Sequence, residues 1–193
     1  MINQLPIIQQ VSPYILITSV VLLAVAAIYL TLKTFEFSGF TSTEALILVT
    51  SPILGEILPR ALENLIIYQK NTLSIGINLF GFLIPVIISL KILANNRVSK
   101  LKAFLSILVI TFVSYELSYI NPNQGVLVSN FYFIPLAASM ISILINSKNL
   151  RKVAPLAYVS GSLGVLFGAD ILRIGEILQY QPTNPAGLII GGA

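Results

Sequence analysis

Long, nearly unbroken apolar stretches recur along the chain, and polar residues gather in the short gaps between them. An apolar run of about 20 residues is what a helix needs to cross the hydrocarbon core of a bilayer. The pattern predicts six complete spans, at residues 14–32, 44–59, 73–93, 102–119, 126–145 and 153–172. A partial seventh covers 185–193, "PAGLIIGGA", less than half the required length. The second span is short and holds Pro52 and Gly55, which makes it tilted, broken or re-entrant. Such breaks survive in a membrane only where protein or a cavity covers the freed backbone. The runs are solidly apolar rather than alternating, which argues against an outer-membrane barrel. The expected fold class is all-α, a polytopic transmembrane helix bundle forming a single integral membrane domain over 1–193.

Composition supports this reading. Of the 193 residues, 56% are hydrophobic and 9% charged, against roughly 25% charged in a soluble domain. The net charge of +4 sits in the gaps rather than on a basic stripe with interleaved aromatics, so nucleic acid is not an expected partner. Eight of the eleven Lys and Arg residues (Lys33, Lys91, Arg97, Lys100, Lys102, Lys148, Arg151, Lys152) fall on one side of the predicted bundle. Arg60, Lys70 and Arg173 fall on the other. By the positive-inside rule, the rich side is cytoplasmic and the N-terminus lies outside the cell membrane. The opening segment lacks a basic n-region, so no cleaved signal peptide is expected. The chain has no Cys and no His. That removes thiol catalysis, His-dependent triads and the usual zinc and haem ligands, and no metal or cofactor is expected. Carboxylates remain the best-equipped groups. The composition also suits a thermophile, in particular an archaeal one.

Four polar residues, Glu56, Asn78, Glu116 and Asp170, fall at the outer third of their predicted spans. Buried at one depth, they offset the cost of placing charge in lipid by pairing or by lining a wet cavity; otherwise they cap helix ends in the headgroup zone. Asp170 is the only aspartate in the chain. Before it, Ala157, Gly161, Gly164 and Gly168 recur every three or four residues and draw one small-residue face down the sixth span. Such a face lets helices approach closely where lipid provides no hydrophobic drive. In a continuous helix Asp170 lies about 200° from Gly168 and points away from that seam. Either the span is contacted on both sides, or Gly168 breaks the helix and redirects the carboxyl. A weak repeat is also visible. "INLFGFLIP" (77–85) and "SNFYFIP" (129–135) each place Asn and aromatics before Ile-Pro at a span entered from outside, and the Asp170 span followed by a proline-led seventh forms a third copy. Pro and Asn tolerate helix starts, which produces the same pattern without a repeat.

The segments "SIGINLFGFLIPVIISLKIL" (74–93), "IPLAASMISIL" (134–144), "RKVAPLAYVSGSLGVLFGAD" (151–170) and "IIGGA" (189–193) resemble an uncharacterised prokaryotic multi-pass membrane family, domain of unknown function sixteen-fourteen. The resemblance covers about residues 44–193. In that family a Gly-Ala-Asp element is followed by Gly-Gly-Ala-Gly-x-x-Asp-Gly in the next helix. The first element is matched by Gly168, Ala169 and Asp170, the second only through Gly191, Gly192 and Ala193. Two aspartates on adjacent helices are similar to the arrangement of presenilin and prepilin-peptidase intramembrane aspartyl proteases. That chemistry needs two carboxyls about 3 Å apart sharing a proton. Within this chain only a Glu is available to partner Asp170, and Glu116 is the best placed.

Three functions therefore stand. The first is a non-catalytic subunit or scaffold of a membrane assembly, with a membrane-protein partner or a homo-oligomer. The second is an aspartyl protease-like enzyme using Asp170 with an Asp beyond Ala193 or with Glu116. The third is a small transporter or channel with a carboxylate-lined path. Whether the chain is an enzyme is left open.

Overall fold

The computed structural model describes residues 5–58, 64–70, 73–121, 125–179 and 186–191. The chain is mostly helical. α1 (Leu5–Phe37) is followed by α2 (Ser42–Ile57) and the strands β1 (Asn64–Lys70) and β2 (Leu73–Asn78). A π-helical turn (Leu79–Leu83) then leads into α3 (Ile84–Ala94), and α4 (Lys100–Leu117) comes next. The hairpin strands β3 (Ser118–Asn121) and β4 (Gly125–Val128) lead to α5 (Phe133–Asn146). A 3-10 turn (Leu150–Lys152) opens α6 (Val153–Val165), which continues as a second π-helical turn (Leu166–Ile171). α7 (Ile174–Gln179) and β5 (Ala186–Ile190) complete the order.

Two helical stretches are long and apolar enough to cross a membrane, Pro13–Phe37 and Leu150–Gln179. Leu79–Ala94 and Phe133–Asn146 are apolar but shorter. α4 has the length but carries Lys100, Lys102 and Glu116. The expectation of six complete helical spans therefore needs correcting at several boundaries. Residues 73–78 and 126–128, expected as helix starts, are strands. The partial seventh span is also a strand, at Ala186–Ile190, where β5 pairs in parallel with β2 from Leu73↔Ala186 to Ile77↔Ile190. The physical reason is shared. Short apolar runs rich in Ile and Val and broken by glycine satisfy a hydropathy window but favour extended backbone. β1 and β2 form an antiparallel hairpin with a bulge between Ile66 and Tyr68, so the three-stranded sheet has the order β1-β2-β5. β3 and β4 form a separate antiparallel pair.

α1 has no polar face. Its hydroxyls fold back onto its own backbone, Ser19 to the Ile15 carbonyl and Thr31 to that of Ala27, so they need no water. The Pro13–Phe37 stretch is unburied within the protein. α2 starts at a capping box: the Thr41 hydroxyl accepts the Glu44 N–H, and the Glu44 carboxylate accepts the Thr41 N–H.

α6 is the centre of the bundle, packed against α3, α4 and α5. Gly161 lies against Ala138 of α5, and Gly164 against Ile110 of α4, where a Cβ would overlap the isoleucine side chain. Around α6, one apolar cluster gathers Phe40, Ile88, Ile92, Ala103 and Leu156, and another gathers Ile110, Ile134 and Ala138. A third, of Leu73, Ile75, Leu166, Ile177 and Ile190, joins the strands to the end of the bundle.

The two ends of the bundle differ in chemistry. At one end Glu44, only 1% exposed, forms a short ion pair with Arg97 and a second, at 3.4 Å, with Lys91. Arg97 also donates to the Gly39 carbonyl, and Lys102 to the Ile145 carbonyl. Lys100, Lys148, Arg151 and Lys152 lie in the same turns. The other end carries the strands.

Candidate functional site

Gly168 sits in the π-helical turn that continues α6. A side chain there would run into the Thr111 carbonyl and Ser114 of α4, so glycine alone allows this approach. The wider turn is closed by the Leu172 N–H donating to the Phe167 carbonyl five residues back. It inserts extra backbone and rotates the residues beyond it. Asp170 is thereby carried off its ideal α-helical bearing and buried, at 8% exposure. The helix does not break at Gly168 but widens into a π-helical turn, and the span is contacted from several sides by α3, α4 and α5.

The Asp170 carboxylate accepts the Gly191 N–H at 2.9 Å. Gly191 lies just past β5 with φ +73°, a conformation that glycine adopts freely. Its backbone rests directly on the backbone of Gly81, in the other π-helical turn, and a Cβ on either glycine would overlap the other residue. Asn78 fixes the Gly81 side. Its side-chain oxygen accepts the N–H groups of Phe80 and Gly81 at 2.9 and 2.7 Å, and its amide donates to Asn64 at 2.9 Å. Two buried polar side chains, Asn78 and Asp170, thus hold two glycine turns against each other.

The four polar residues grouped by depth do not meet as a set. Asn78 and Asp170 each hold one side of the Gly81–Gly191 contact, whereas Glu56, late in α2, and Glu116, late in α4, are both exposed. No hydrogen bond joins Asp170 to another carboxyl among the described residues, and no group of three or more acidic, His or Cys side chains there is placed to hold a metal. Of the small residues, Gly161 meets α5 and Gly164 and Gly168 meet α4, and Ala157 is half-buried on α6. Arg60, Pro185, Gly192 and Ala193 lie outside the described residues.

A second polar cluster escaped sequence reasoning. Arg173 lies over the Tyr115 ring, 3.9 Å from its centroid. It donates to the Tyr115 and Ser118 carbonyls, both at 2.7 Å, and to the Ser118 hydroxyl. It also pairs with Glu176, which accepts from the Tyr115 hydroxyl. The guanidinium is consumed in tying α7 to the α4–β3 corner. The spacing of three between Arg173 and Glu176 was the available signal.

A family model described as "Protein of unknown function (DUF1614)" matches residues 58–193. The chain belongs to this family. In this DUF1614 chain the match takes in Asn78, Gly81, Asp170 and Gly191 and leaves α1 and α2 outside, so it starts later than the resemblance at 44 suggested. No curated protein and no solved structure matches the chain.

Proposed function

We propose that the chain is a multi-pass integral membrane protein acting as a non-catalytic subunit or scaffold of a membrane assembly. The bond from the Gly191 N–H to Asp170 carries this reading. The carboxyl that most resembles a catalytic group serves as a backbone acceptor and pins a strand to the bundle. Aspartyl protease chemistry requires a second carboxyl against the first, and Glu116 stands exposed on α4. A carboxylate-lined path needs Glu56 and Glu116 beside Asp170, and they are not in contact with it. Support for the membrane setting comes from the outward faces of the helices. Leu22, Leu23, Phe104, Leu108, Leu136 and Ile143 are all exposed, a large apolar surface of the kind that faces lipid or a partner. The orientation follows the charges, with the Arg97 and Lys102 end cytoplasmic and the N-terminus outside.

The test is purification from native membranes in mild detergent. The protein is expected to stay membrane-bound and to co-elute at fixed stoichiometry with a second membrane protein or as a homo-oligomer. A partner-free monomer contradicts the scaffold reading.

A further inference from the structure

Between α2 and α3 runs an apolar furrow of about 310 Å³. Ile47, Thr50, Ser51 and Leu54 line it from α2, and Ile84, Ile87 and Ile88 line it from α3. On each helix these positions follow the three-and-four spacing of a single face. The same faces continue one turn towards the basic end, to Glu44 on α2 and Lys91 on α3. The two helices are therefore antiparallel, and the Glu44–Lys91 ion pair closes the furrow at that end. Thr50 directs its hydroxyl to the Leu46 carbonyl and so offers the furrow little polarity. The charges at the closed end are Lys91 and Arg97 against Glu44, which leaves one positive charge in excess, and Lys91 is 45% exposed.

The geometry points to a binding site for an anionic membrane lipid of the leaflet at the basic end, with one hydrocarbon chain in the α2–α3 furrow and the headgroup phosphate on the half-exposed Lys91. The inference rests on the membrane reading above. The apolar lining of Ile47, Leu54, Ile84, Ile87 and Ile88 suits a hydrocarbon chain and not a headgroup. Ile87 and Leu54 on its walls are exposed, so the furrow opens sideways on the apolar surface of the bundle. The net positive charge of Lys91 and Arg97 over Glu44 where the furrow meets the headgroup level selects an anionic lipid, with about a five-fold preference for one charge in excess.

The test uses native mass spectrometry of the delipidated full chain in mild detergent, with phosphatidylglycerol or phosphatidylcholine of identical chains added. Phosphatidylglycerol adducts are expected at about five times the phosphatidylcholine level. Lys91→Gln is expected to bring the two lipids level. Ile87→Trp, which fills the furrow, is expected to remove both, and Thr50→Trp does the same from the opposite wall if Ile87→Trp fails to fold. Equal adducts of the two lipids on the wild-type chain overturn the proposal, as do unchanged adducts in both tryptophan variants. A furrow occupied by a second copy is also excluding: it gives a dimer that the tryptophan variants dissociate, with no lipid adduct. Recovery of the chain in the soluble fraction before detergent is added overturns the membrane reading itself, a separate observation made first.

Discussion

Single atoms decide how the Asp170 site behaves. The Gly191 N–H is satisfied by one carboxylate oxygen, and an asparagine keeps an acceptor there while an alanine does not. Asp170→Asn is therefore expected to hold the β5 turn, whereas Asp170→Ala leaves a part-buried N–H without its partner, at a cost of about 1–3 kcal/mol. Hydrogen exchange at residues 186–191 checks this: faster exchange in the alanine variant alone agrees, and equal exchange in both variants disagrees. Gly81 provides a steric counterpart. Gly81→Ala drives a methyl into the Gly191 carbonyl and is expected to destabilise by about 1–3 kcal/mol. Gly175, on the short helix α7, has nothing within 4 Å of the place a methyl would take, so Gly175→Ala is expected to be neutral or to stabilise by up to about 1 kcal/mol. Thermal unfolding of the two variants in detergent checks the contrast. The carboxyl itself was conspicuous in the sequence as the only aspartate after a run of glycines. Its partner was not, because a bond to a backbone N–H 21 residues away leaves no side-chain signature.

Among the elements, helix positions were readable and strand positions were not. The small-residue spacing of 157–168 marked the face that α6 turns to its neighbours, since glycine at helical spacing has few other uses inside a helix. Gly168→Ala is expected to push the π-helical turn off the Thr111 carbonyl and lower the unfolding midpoint more than Gly161→Ala, whose methyl meets only the Ala138 Cβ at 3.5 Å. A reversed order in thermal melts contradicts this packing. The strands were hidden because "NLIIYQK" and "LSIGIN" are apolar enough to pass as the ends of spans. Their β-branched content on both sides of a two-residue gap at 71–72 was the hairpin signal. The segments 77–85 and 129–135 differ locally, with a π-helical turn in the first and a simple turn in the second. The first segment starts at the end of β2 and the second just after β4, and each enters a helix with proline near its start, α3 or α5.

At the scale of the whole molecule, the account rests on a division between two ends. The loops joining α1 to α2, α3 to α4 and α5 to α6 share the basic end, where buried Glu44 anchors Arg97 and Lys91. The two hairpins and the Arg173 knot share the other end. Loop charge alone grouped Lys33, Lys91, Arg97, Lys100, Lys102, Lys148, Arg151 and Lys152 on one side, and the ion pairs of Glu44 with Arg97 and Lys91 lie at that end of the bundle. The interlocking of the strand end depends on long-range pairing, which no local pattern encodes. The chain has no native cysteine, so single cysteines report on each end without background. The most direct test is labelling of Lys148→Cys and Tyr119→Cys in intact cells with a membrane-impermeant maleimide. The account predicts that the cysteine at 119 is labelled from outside and the cysteine at 148 only after permeabilisation. Equal labelling of both in intact cells, or of neither until the cells are opened, contradicts a bundle that crosses the membrane with its basic end inside.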